Sequence, residues 1–98
     1  MRTTKNMDYI YDDNGQPILI DLLQKDTREK VIAYFVQCRK EKKMTQADIA
    51  RRTGIPRTNI TRFESGRYNP SLEMLVKIAA ALDMKLELVL KQLHSGEN

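Results

Sequence analysis

The chain has 98 residues with a formal net charge of +4, 41% apolar and 31% charged side chains, one domain's worth and too apolar for wholesale disorder. No apolar run approaches about 18 residues and no apolar core follows the N-terminus, so neither a membrane span nor a secretory leader is expected, and a cytoplasmic protein is. A single cysteine and a single histidine exclude an internal disulfide and a zinc site of the usual spacing.

Residues 1–26 form an N-terminal extension. Tyr9-Ile10-Tyr11, the turn signal Asp12-Asp13-Asn14-Gly15 and Ile18-Leu19-Ile20 predict a β-hairpin, with Pro17 limiting the second strand to an edge or a strand start. Leu19 to Leu23 can equally open a helical turn. Thr27 is the N-cap expected for the first helix, in which Val31, Ile32, Phe35, Val36 and Cys38 recur at helical spacing up to about Lys42. Cys38 shares the Val31/Phe35 face and is expected to be a buried thiol. Thr45-Gln46-Ala47-Asp48 matches a capping box and opens a short helix that Gly54 ends. Pro56 pre-sets the start of the next, which turns Ile60 and Phe63 inward until Ser65-Gly66 stops it. Ser71 caps a further helix with the stripe Leu72, Leu75, Val76, Ile78, Ala79 and Leu82. From Lys85 the period changes to two, placing Leu86, Leu88 and Leu90 on one face of a strand at 85–91. Residues 92–98, with His94, read as an exposed tail.

Charge is unevenly distributed. Residues 1–26 hold three Lys/Arg against five Asp/Glu, residues 27–68 eleven against four, and residues 69–98 three against four. The positive excess lies wholly in the middle segment, where a polyanion would be met. Lys40, Lys42 and Lys43 either steer a nucleic acid or solvate a helix end.

That segment holds two short helices joined by a tight turn, at 45–54 and 56–65. Ala50 permits a close helix crossing, Gly54 supplies a turn conformation that other side chains resist, and Ile49, Ile55, Ile60 and Phe63 wedge the pair onto one core. This is a helix-turn-helix arrangement, which projects its second helix from the surface. Phased at 100° per residue, that helix carries Thr58, Arg62, Ser65 and, nearer the edge, Thr61 opposite its core side, with Arg57 at the N-terminal tip. These side chains can reach guanine O6 and N7, thymine or phosphate. Tyr68 either touches a phosphate or packs over the following loop, and Tyr9 and Tyr11 are expected to cover apolar surface. No phosphate loop, carboxylate pair or nucleophile–base signature is present, so no enzyme, cofactor or small-molecule ligand is expected.

From Thr45-Gln46 to Leu82 the sequence resembles the Xre/Cro-type, lambda-repressor-like helix-turn-helix family. The resemblance implies a mainly α fold of four or five helices, here with short β elements at the two ends, spanning residues 27–84. It implies binding to double-stranded DNA, as a homodimer on a palindromic operator, by a transcriptional regulator that acts as a repressor. Family base contacts fall onto Arg57, Thr58 and Arg62, with Thr61 beside them and Asn59 able to contact base or phosphate. Phosphate contacts fall onto Gln46 and the Gly66-Arg67 stretch, with Thr45, Ser65 and Lys43 adjoining. Arg39 and Glu64 fall where some members form an ion pair. Two departures stand out. Pro56 replaces the usual Ser/Thr before the recognition helix, and the strand through Leu86, Leu88 and Leu90 replaces a fifth helix. The strand resembles the dimerising strands of antitoxins, so the runner-up is an antitoxin that binds a toxin protein and represses its own operon. An adaptor that keeps the fold without reading DNA is opposed by Arg57 and Arg62.

Overall fold

A computed structural model of the chain describes residues 8–93. Two strands, β1 (Tyr9–Tyr11) and β2 (Pro17–Leu19), precede four helices: α1 (Ile20–Glu41), α2 (Gln46–Thr53), α3 (Arg57–Ser65) and α4 (Leu72–Ala81). The expected hairpin is present, antiparallel, with Tyr9 opposite Leu19 and Tyr11 opposite Pro17. Its loop is held by Asp12, whose Oδ1 accepts from the backbone N–H of Asn14 and Gln16, both at 2.9 Å. Gly15 closes the loop at φ +77°, a conformation that favours glycine.

The first helix corrects the boundary expected at Thr27 and takes the helical alternative left open for Leu19 to Leu23, since α1 starts at Ile20, directly after β2. Thr27 is an interior residue whose hydroxyl donates to the Leu23 carbonyl at 2.9 Å. Residues 20–26 contain no Gly or Pro, and a helix nucleated by the packed segment further on extends at little cost through such a stretch. α1 ends through Lys43, a non-glycine residue at φ +58°.

The capping box of α2 forms as expected. The Thr45 hydroxyl accepts from Asp48 N–H at 3.0 Å, and the Asp48 carboxylate accepts from Thr45 N–H at 2.8 Å. Gly54 then ends α2 in the left-handed conformation. Pro56 occupies the N-cap position of α3 and gives it no side-chain cap, as expected from the absence of a Ser/Thr there. The Ser71 hydroxyl caps α4 through Met74 N–H at 3.0 Å.

One core joins the four helices: Ile32, Phe35 and Cys38 of α1, Ile49 of α2, Ile60 and Phe63 of α3, and Ile78, Ala79 and Ala81 of α4 with Leu82. Ile49, Ile60 and Phe63 are each only 1% exposed, and Phe35 meets Phe63 edge-on with ring centroids 5.6 Å apart. Leu72 and Val76 do not join this core, contrary to the stripe expected for α4, and lie exposed. The buried face of α4 is centred between Ile78 and Leu82, so at 100° per residue Leu72 and Val76 fall about 100° and 140° away from it.

The strand expected at 85–91 does not form in the single chain. Among the described residues, nothing beyond Ala81 is helix or strand. A strand needs a ladder partner; β1 and β2 pair with each other, and the neighbours of residues 84–88 are α1 and the end of α4, which present no sheet edge. Leu86 packs partly against the core, whereas Leu88 and Leu90 are 70% and 100% exposed. His94 and residues 95–98 lie outside the described residues, as do residues 1–7.

Candidate nucleic-acid interface

α2 and α3 cross with Ile49 against Ile60 and Phe63 in the core, and this fixes which side of α3 faces out. Arg57, Thr58, Thr61, Arg62 and Ser65 are exposed, while Asn59 and Glu64 are half-buried. The outward set is the one that the 100° phasing selects. Arg57, Thr58 and Arg62 offer hydrogen-bond donors at this surface, the requirement for meeting base edges or phosphate, whereas the Thr61 and Ser65 hydroxyls donate within the protein.

Glu64 is the only acidic side chain in α3, and it points into a polar cluster rather than outward. Arg39 donates to it through Nε at 2.7 Å and Nη2 at 2.9 Å, with both side chains nearly buried at 13% and 12% exposure. The third prong, Nη1, donates to the Met44 carbonyl at 2.8 Å. Gln46 Nε2 donates to Glu64 Oε1 at 2.9 Å, and Gln46 Oε1 accepts from the Thr61 hydroxyl at 2.8 Å. One network therefore ties α1, the turn before α2, the first residue of α2 and the outer side of α3. The bidentate Arg–carboxylate geometry neutralises the carboxylate that would otherwise repel a polyanion.

Arg62 lies across the Tyr68 ring, its guanidinium carbon 5.2 Å from the centroid, a cation–π contact that limits the arginine's rotamers. Tyr68 is half-buried; its hydroxyl donates towards Met74 Sδ at 3.2 Å and lies 3.4 Å from the Asn59 carbonyl. The ring thus bridges α3 and α4 at the edge of the core. The Ser65 hydroxyl donates to the Arg62 carbonyl at 2.6 Å, so a phosphate at Ser65 would have to displace that bond. Lys43 and Arg67 are exposed on the loops flanking α2–α3, and Thr45 is exposed at the head of α2. The Asp48 carboxyl is lowered from its ordinary 3.8 to about 2, first by the Thr45 backbone N–H, then by Arg51 and the Thr45 hydroxyl.

Two arginines that the sequence did not single out hold this surface to the rest of the fold. Arg52 donates from Nη1 to the Ala81 carbonyl at 2.8 Å and meets Asp83 at 3.3 Å. Arg28 reaches from α1 to Gly66 and Asn69. Nothing local distinguishes either from other surface arginines in sequence, because their partners lie 29 to 41 residues away. Among the described residues no group of three or more His, Cys, Asp or Glu side chains could hold a metal, and no helix is long and apolar enough to cross a membrane.

A helix-turn-helix family model matches residues 36–89. An uncharacterised HTH-type transcriptional regulator of Archaeoglobus fulgidus is 46% identical over 44 residues, covering 45% of this chain and 62% of that protein. The corresponding regulator YqaE of Bacillus subtilis is 40% identical over 55 residues, covering 56% and 47%. The immunity repressor of Bacillus phage phi105 is 37% identical over 51 residues, covering 52% and 35%. In these relatives the chain thus spans between about a third and just under two-thirds of their length. A solved structure of a toxin-antitoxin module from Streptococcus pneumoniae superposes with a TM-score of 0.59 at 26% identity, covering 74% of this chain and 80% of that one. The matched region holds the capped α2, the glycine turn, the outward face of α3 and the Arg39–Glu64 pair, and by it the chain belongs to the Xre/Cro-type helix-turn-helix family of DNA-binding transcriptional regulators.

Proposed function

We propose that the protein is a repressor that binds a palindromic double-stranded operator in the cytoplasm as a homodimer. The observation that carries the reading is the face of α3. Arg57, Thr58, Thr61 and Arg62 are exposed together, and the helix's one carboxylate is drawn inward by Arg39. In this reading α3 enters the major groove, Arg57, Thr58 and Arg62 meet base edges, and Asn59 and Thr61 flank them. Gln46, Thr45, Lys43, Ser65 and Arg67 lie towards the phosphates on either side, supplying most of the affinity and its salt dependence. The second subunit joins through residues 85–91, whose Leu88, Val89 and Leu90 stand exposed. Selection of bound sites from random duplex DNA tests the whole reading. An inverted repeat with half-sites one helical turn apart is expected. Recovery of no preferred sequence would leave a nonspecific binder and overturn it.

A second reading, an antitoxin that represses its own operon and also binds a toxin protein, is supported by the structural likeness to a toxin-antitoxin module. Co-expression with the product of an adjacent small reading frame distinguishes it. A stable complex and relief of growth arrest favour this reading; growth unaffected by that product in the absence of the regulator opposes it.

A further inference from the structure

The loop between α3 and α4 starts at Gly66, which ends α3 at φ +77°, and runs to Pro70. Arg28 lies about four turns before the end of α1, half-buried although its helical neighbours from Asp21 to Thr27 are exposed. Its Nε–H donates to the Gly66 carbonyl at 3.3 Å and its Nη1–H to Asn69 Oδ1 at 2.6 Å. The two anchored residues bracket Arg67 and Tyr68. Tyr68 is held from the other side by Met74 and Arg62, which leaves Arg67 as the exposed residue of a stretch tied to α1 at both ends. Arg28 and Arg39 are eleven residues apart, three helical turns, so both project from nearly the same face of α1 about 16 Å apart. One guanidinium fixes Glu64 and the turn before α2, and the other fixes the loop that follows α3.

We propose that Arg28 is a positioning residue for DNA binding: it holds the 66–69 loop in the conformation that presents Arg67 to a phosphate. The proposal rests on the reading of Arg67 as a phosphate contact. A flexible loop would have to be ordered at the moment of binding, at an entropic cost that subtracts from the contact. A loop already clamped to α1 avoids that cost. The planar fork of arginine supplies two directed N–H groups to two acceptors at once, which a lysine ammonium cannot reproduce even though it keeps the charge.

The test uses a random-sequence duplex as the probe, titrated over a series of salt concentrations. The proteins are the parent, Arg28→Lys, Arg67→Ala and the double variant, with circular dichroism on each. Loss of one phosphate contact lowers the slope of log K against log salt by about 0.9 and the affinity by roughly fivefold at physiological salt. Arg67→Ala is expected to show that loss. Arg28→Lys, folded and with unchanged net charge, is expected to show most of it, and the double variant no more than Arg67→Ala alone. Parental affinity and slope in Arg28→Lys, or losses that add in the double variant, overturn the proposal while leaving the phosphate reading intact. No effect of Arg67→Ala overturns the phosphate reading itself and the positioning role with it. Should Arg28→Lys fail to fold, Asn69→Ala, which removes one acceptor from the exposed side of the clamp, gives the same readout against Arg67→Ala.

Discussion

A carboxylate on the outward side of α3 would repel phosphate, and at Glu64 the geometry removes that repulsion by burying the charge against Arg39 and Gln46. The arrangement is costly to break. Glu64→Ala strands a nearly buried guanidinium, and a loss of about 3–5 kcal/mol is expected, read as a large drop in melting temperature. Glu64→Gln keeps an acceptor for Arg39 and should lose less. An unchanged melt in both variants would place the pair in solvent. Asp48 makes a different statement, about pH. Its carboxyl is depressed to about 2 in the folded chain, below the value of about 3.9 in an unfolded one. The capping contribution is therefore fully present above about pH 4 and is lost as pH falls towards about 2. Thermal melts across that window should show a shallower acid dependence in Asp48→Asn than in the parent. Equal slopes would mean that the capping box does not couple to global stability.

At the scale of the element, α3 divides its residues sharply between core and surface because only nine residues are available and two of them, Ile60 and Phe63, must seal the crossing with α2. Arg57, at the N-terminal tip, and Arg62, stacked on Tyr68, are the two exposed arginines of the helix. Replacing either with alanine is expected to weaken operator binding by about 1–3 kcal/mol with a much smaller effect on random-sequence DNA. Titration of both duplexes at one salt concentration checks this. Equal losses on the two would move the residue from base reading to phosphate binding.

The whole molecule is more extended than a closed bundle of its length. Its radius of gyration is 16.4 Å, against about 13 Å for a compact domain of 100 residues. The hairpin with the first turns of α1, and residues 84–93, both carry exposed apolar side chains: Tyr9, Ile10, Tyr11, Leu22 and Leu23 in one, Leu88, Val89, Leu90 and Leu93 in the other. In the homodimer proposed above, the second set would meet a twofold partner, since extended segments of two copies can complete each other's backbone hydrogen bonds and cover these side chains at once. Leu88→Asp is expected to yield a folded monomer by sedimentation, with operator affinity reduced to that of a single half-site. A variant that stays dimeric with undiminished affinity would remove residues 85–91 from the interface.

What the sequence determined by itself are the features with local causes. The capping box of Thr45 and Asp48, the glycine ends of α2 and α3, the hairpin loop and the outward phase of Thr58 and Arg62 each depend on residues within a few positions of one another, so periodicity and residue type suffice. The Arg39–Glu64 pair was legible by another route, the family likeness, because no local pattern joins residues 25 apart. Tertiary structure alone decided the rest. Residues 19–23 could read as strand or helix, and α1 starts at Ile20 because a packed helix extends through a stretch without a breaker, which a good capping residue such as Thr27 does not stop. Val76 is exposed because the direction from which α1 and α2 approach, and not the apolar count of α4, sets the buried face. Residues 85–91 alternate like a strand but form none within one chain, since alternation specifies a face while a strand also requires an edge to pair with. Arg28 and Arg52 gain their roles from acceptors brought near by folding, and in one dimension nothing separates them from arginines that only meet water.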